Sequence, residues 1–165
     1  MYSLFYNTIC LQLCSFLRSQ ASRITDPALM EHIQSRHFAI ARHVARLFAI
    51  YRRQWGIERM HPSGIQCVAV VCFALFEGLD QPENCDALIT LCIAARDFGR
   101  HFVLARGVLW MIQFFARQIN VELPEQVDAL FREFETSGWM VKDPIQFNSL
   151  YLNAMDQFLQ KGERE

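Results

Sequence analysis

Residues 61–82 read HPSGIQCVAVVCFALFEGLDQP, and this stretch decides the fold class. An apolar run from Gly64 to Phe76 lies between Pro62 and Gly78, and Pro82 follows. Proline suits the first turn of a helix because its missing N–H would be unpaired there, and glycine is common just beyond a helix end. The run is much shorter than the ~20 residues that a membrane span needs. It therefore predicts a buried helix of a globular protein.

Proline and glycine mark predicted helix ends along the rest of the chain as well. Each proline stands where a helix should begin: Pro27, Pro62, Pro82, Pro124 and Pro144. Glycines follow apolar periodic segments at Gly56, Gly78, Gly138 and Gly162. These signals predict helices over residues 3–20, 27–55, 62–78, 82–98, 102–120, 124–137 and 144–161. We therefore predict an all-α fold, with residues 1–165 forming a single-domain bundle of six to seven helices.

The predicted helices differ in how they distribute apolar residues. The helix over 27–55 carries one apolar face, whereas those over 62–78 and 102–120 are apolar nearly all round. Such helices are typical of the centre of a bundle. We expect the chain to have too few amphipathic helices to cover two such apolar helices. Some apolar surface would then be left for a partner or for a missing part of the same protein.

Composition narrows the classes of function. Hydrophobic residues make up 52% of the 165, which excludes a disordered chain, and the formal net charge of −1 gives no general attraction to nucleic acid or to anionic membrane. The apolar start has no basic n-region, so we expect no signal peptide, no membrane association and reduced cysteines.

The sequence contains no defensible catalytic or metal-binding motif. Its six cysteines include no C-x-x-C pair, the histidines form no H-E-x-x-H, and no G-x-S-x-G, phosphate loop or dinucleotide fingerprint occurs. We expect the cysteines to pack in the core, although folding could still unite a distant Cys–His nucleophile pair. The prediction is a protein that is not an enzyme, with no metal and no cofactor.

Two groups of arginines carry the remaining polar signals. Arg42, Arg46 and Arg53 share a stripe of the helix over 27–55, which suits either a nucleic-acid contact or a solvated face. Because the chain has no basic excess, we favour the solvated face and expect no direct binding of DNA.

The second group surrounds the joint between the helices over 82–98 and 102–120. Its members are Arg96, Asp97, Arg100, His101 and Arg106. Arg96 and Arg100 are one helical turn apart, and Gly99 lets the chain turn beside them. The group could bind an anion or an acidic partner, but we favour a structural role in which Arg96 and Arg100 satisfy helix-end carbonyls and pair with Asp97.

The stretch from His61 to Pro124 resembles the C-terminal half of the fungal-specific transcription factor domain, called the middle homology region. That region begins an apolar helix at His-Pro, ends the next in Leu…Arg-x-x-x-Arg, and continues through an aromatic residue and an Ala-bearing helix to Leu-Pro. The corresponding residues are His61-Pro62, Leu91, Arg96-Asp97-Phe98-Gly99-Arg100, Phe102, Ala105 and Leu123-Pro124. Residues 26–135 share the resemblance, and residues 1–25 and 136–165 are expected to add flanking helices.

The resemblance implies a regulatory domain of a fungal zinc-cluster (Zn2Cys6) transcription factor, acting in the nucleus. The six cysteines here lack the close spacing of that zinc cluster, so neither zinc nor DNA contact carries over to any residue. We expect a truncated family member that contacts a protein partner, the remainder of its parent domain or a small-molecule effector. The alternative is a stand-alone helical enzyme or carrier of an apolar ligand.

Overall fold

The computed structural model describes residues 2–21 and 26–136. The helices are α1 (Tyr2–Ser19), α2 (Pro27–Trp55), α3 (Gly64–Leu75), α4 (Pro82–Gly99), α5 (Val103–Gln118) and α6 (Glu125–Thr136). Single 3₁₀ turns, Ile57–Arg59 and Phe76–Gly78, follow α2 and α3. No strand occurs in these residues, and the predicted all-α bundle is confirmed. The helix predicted over 144–161 lies outside the described residues.

The ends of α2 show why the local signals worked. Asp26 accepts a hydrogen bond from the backbone N–H of Ala28 at 3.0 Å, and Pro27 takes the first helical position. Gly56 ends the helix with φ of 80°, a left-handed conformation in which a side chain would be strained.

The start of α3 differs from the prediction. Pro62 belongs to a turn, and the helix begins two residues later at Gly64. The His61 ring Nδ1 accepts the Ser63 N–H at 3.3 Å and also meets the Ser63 hydroxyl at 2.7 Å. His61 therefore organises the turn that precedes α3.

The predicted central position is confirmed for α3. Ten of its twelve residues are buried, and α1, α2, α4 and α5 all pack against it. Phe73 and Phe76 meet Phe115 of α5 with ring centroids 5.2 Å and 6.2 Å apart. Such aromatic pairs add to the stabilisation that burial itself provides.

For α5 the central position is only half confirmed, and the expected shortage of cover is seen there. Its inner side packs against α3 and α4, whereas Val103, Leu104 and Phe114 are exposed. The outer aromatic pair Trp110 and Phe114 stacks with centroids 5.2 Å apart. The cause is position in the bundle, because α6 gives α5 only limited cover.

None of the helices in the described part of the chain is long and apolar enough to cross a bilayer.

Candidate functional site

Asp97 is the centre of the arginine cluster predicted at the joint between α4 and α5. Its Oδ1 accepts hydrogen bonds from Arg96 Nε at 3.2 Å and Arg96 Nη2 at 3.1 Å. Arg100 Nη1 lies 3.9 Å from the same oxygen. The one-turn spacing read from the sequence thus places both guanidinium groups around a single carboxylate.

Two further helices contribute charges that the sequence did not indicate. Arg52, in the last turn of α2, places its Nε 3.6 Å from Asp97 Oδ2. Glu133 of α6 places its Oε2 4.0 Å from Arg96 Nη1. We call Arg52, Arg96, Asp97, Arg100 and Glu133 the Asp97 cluster. This cluster links α2, α4 and α6.

The end of α4 is held by a different arginine from the pair expected. Arg106 Nε donates to the carbonyl oxygen of Gly99 at 2.7 Å, which satisfies one of the carbonyls that the helix end leaves unpaired. This contact ties the first turn of α5 to the last residue of α4. His101 lies exposed in the turn between them.

The side chains of the Asp97 cluster differ in solvent exposure, which increases from Asp97 to Arg100. The exposed fraction of the side chain is 18% for Asp97, 25% for Arg96, 39% for Arg52 and 56% for Arg100. The carboxylate and Arg96 are thus partly buried, while Arg52 and Arg100 present donors to solvent. Arginine stays protonated and cannot act as a base, so the solvent-facing donors of Arg52 and Arg100 suit recognition of a carboxylate or phosphate group.

A second polar cluster, the His37 cluster, lies between α1, α2 and the turn after α3, and in it His37 is buried whereas Ser15 and Glu77 are exposed. His37 is 1% exposed, with its Nε2 3.0 Å from Ser15 Oγ and its Nδ1 3.3 Å from Arg18 Nη1. Arg18 also pairs with Glu77. No sequence pattern indicates this cluster, because its members are up to 62 residues apart and meet only through packing.

The tautomer of His37 decides whether Ser15 and His37 can form a nucleophile–base pair. A guanidinium can only donate, so Nδ1 must accept from Arg18 and the ring proton must lie on Nε2. Nε2 then donates to Ser15 Oγ, which itself donates to the Leu11 carbonyl at 3.1 Å. His37 therefore holds no free lone pair toward Ser15 and cannot remove its proton.

The environment also keeps His37 neutral. Burial, and after it the nearby Arg18, lower the pKa of His37 from 6.5 to about 4, with Glu77 acting in the opposite direction. The His37 cluster is consequently a structural hydrogen-bond network near neutral pH.

The cysteines offer no metal centre in the described residues, where no group of three or more His, Cys, Asp or Glu side chains converges. Burial raises the pKa of Cys67 and Cys72, and partial burial raises that of Cys14. A raised pKa keeps these groups as thiols, which are poor nucleophiles and poor metal ligands.

The arginine stripe of α2 is divided by the fold. Arg42 donates to Asn84 Oδ1 at 2.8 Å, and the fully buried Asn84 in turn donates to the Gly78 carbonyl at 2.7 Å. Arg46 and Arg53 remain exposed. Arg42 thus serves to connect α2 with α4.

One open cleft of about 390 Å³ lies where α5 leads into α6. Its wall combines Arg117 with the carboxylates Glu122 and Asp128, beside Val121 and Leu123. Carriers of apolar ligands use enclosed and mainly apolar walls, which this cleft lacks.

Comparison with known proteins gives one informative match. Over 91 residues the chain is 38% identical to the notoamide biosynthesis transcriptional activator notL′ of Aspergillus versicolor. The chain is similar to a fungal transcriptional activator. The match takes in 55% of this chain and 15% of the activator, so the chain spans a small part of that relative's length. No family model and no solved structure matches the chain.

Proposed function

We propose that this chain is a regulatory, protein-interaction domain of a fungal zinc-cluster transcription factor, related to its middle homology region and working in the nucleus without doing chemistry. The observation that carries the proposal is the 38% identity to a fungal transcriptional activator. The all-α fold agrees with the domain that the sequence resembles.

The two polar clusters support a role without catalysis. Ser15 is hydrogen-bonded to a histidine whose proton faces it, and Asp97 is surrounded by cations that cannot accept a proton. A formal net charge of −1 gives little counterion release on DNA, so contact with DNA belongs to another part of the regulator.

The outer edge of the Asp97 cluster is the surface best suited to a protein partner. Arg52 and Arg100 face solvent there, and the exposed apolar residues Val103 and Leu104 follow Arg100 closely in the chain. Cations beside apolar side chains favour a partner segment that combines acidic and apolar residues. Arg96 and Asp97 would position this edge without themselves meeting the partner.

A tethered reporter assay tests the proposal. The chain is fused to a heterologous DNA-binding module in a filamentous fungus, and reporter output is compared with that of the module alone. We expect the fusion to change output and Arg100→Glu to abolish the change while leaving the melting temperature unaltered. Arg53→Glu, an equal charge reversal on the exposed face of α2, is the matched control and should behave as the parent chain does.

Two outcomes count against the proposal. A nuclear, well-expressed fusion that leaves the reporter at the level of the module alone contradicts a regulatory role. Equal loss of output in Arg100→Glu and Arg53→Glu contradicts the assignment of the partner surface.

A further inference from the structure

The outer face of α1 carries a continuous apolar seam. Its members and their exposed fractions are Tyr2 93%, Tyr6 68%, Ile9 57%, Leu13 57% and Phe16 60%. Their spacing alternates strictly between four and three residues, which is the a/d pattern of a coiled coil. The opposite face of α1, with Leu4, Thr8 and Leu11, packs against α2 and α3. The seam is therefore surplus to the fold of the described residues.

The flanks of the seam are uncharged. In the heptad frame the e and g positions hold Ser3, Phe5, Cys10, Gln12, Leu17 and Ser19. The one charged residue of α1, Arg18, lies on the inner face and pairs with Glu77. Charges at these flanks normally select a different partner or oppose self-pairing, and neither effect operates here.

The area of the seam matches what a dimer needs. With roughly 200 Å² for a fully exposed large apolar side chain, the five seam residues and Leu17, which is 42% exposed, present about 750 Å² per copy. Two copies would cover about 1,500 Å², within the range of ~1,200–2,000 Å² for stable interfaces.

We propose that the seam of α1 is the self-association surface of this chain, paired with the same seam of a second copy. The inference stands apart from the proposed regulatory role, since it rests on α1 and not on the Asp97 cluster. Each copy would insert its Ile9 and Leu13 between apolar residues of the other, as the alternating spacing of a coiled coil requires.

Sedimentation of the full chain from about 1 µM to about 100 µM tests the pairing, a range that brackets micromolar affinity. We expect a concentration-dependent dimer that Ile9→Glu/Leu13→Glu weakens at least about a hundredfold, because each seam would then bury two unpaired carboxylates. Gln118→Glu/Gln126→Glu adds the same charge at exposed positions of α5 and α6 and should leave the dimer intact. Circular dichroism should show equal helical content in all three proteins, since the substituted side chains are exposed.

A chain that stays monomeric throughout this range overturns the proposal. A dimer that survives Ile9→Glu/Leu13→Glu overturns it as well, because the contact must then lie elsewhere. A monomer whose melting temperature falls only in the seam variant would show that the seam is covered within the chain itself, and that result also refutes pairing with a second copy.

Discussion

Acidification should destabilise this protein through His37. Burial and Arg18 lower its pKa to about 4 in the folded chain, against 6.5 for the free side chain, so the unfolded chain binds a proton that the folded chain refuses. Stability must therefore fall as the pH drops through about 6.5, and the loss is complete below about 4. The shift corresponds to about 3 kcal/mol in total, of which about 2 kcal/mol is lost by pH 5. Arg18 of α1 and Glu77 of the turn after α3 are the charged groups that shape this response.

Urea unfolding of the parent chain, His37→Gln and His43→Gln at about pH 7.5 and about pH 5 measures the effect. Glutamine preserves one donor and one acceptor but does not titrate. We expect the stability difference between the parent chain and His37→Gln to shrink by about 2 kcal/mol between the two pH values. His43 is exposed, so His43→Gln should keep the pH dependence of the parent chain. A constant difference for His37→Gln would refute the reasoning, because the ring would then be titrating as it does in the unfolded chain.

Three other predictions follow from close contacts and from ligand spacing. Gly78→Ala should destabilise by about 1–3 kcal/mol in urea unfolding, because an added Cβ would come within 2.6 Å of the Phe38 ring and 2.7 Å of Asn84 Nδ2; an unchanged midpoint would show that the packing there can relax. Arg96→Ala should cost about 1–2 kcal/mol and Arg100→Ala less than about 0.5 kcal/mol, since only the first removes a partly buried pair with the carboxylate; equal losses would contradict the graded exposure of the cluster. Metal analysis after dialysis should find no stoichiometric zinc, because no paired ligand spacing occurs in the sequence, and one or two retained ions per chain would disprove this.

The helices could be predicted because their ends are encoded locally. Asp26, Pro27 and Gly56 each act within one turn of their own position, and α2 begins and ends where they indicate. Pro62 predicted the start of α3 two residues too early, because the ring of the preceding His61 accepts the Ser63 N–H and stabilises a turn there. Residues adjacent in the sequence thus determine where a helix begins and ends to within one turn.

The candidate site could be predicted only in part, because local sequence signals do not show which helices pack together. Arg96 and Arg100 share a helix face with Asp97 by spacing alone, so the sequence brought them together. Arg52 and Glu133 reach the cluster through the packing of α2 and α6, which no local pattern encodes. His37 shows the limit most clearly, since its partners come from elements on either side of α2 in the chain.

The central helix α3 gives this protein a built-in chemical reporter. Cys67 and Cys72 sit in its packed interior, 2% and 0% exposed, and burial raises the pKa of both thiols. An alkylating reagent can modify them only when the bundle opens, so their labelling rate reads the opening equilibrium directly. Cys10 of α1, partly exposed outside the core, should label first and serve as an internal reference in the same sample. The difference between the labelling rate of Cys10 and that of Cys67 and Cys72 would measure how often the bundle opens, without any added probe.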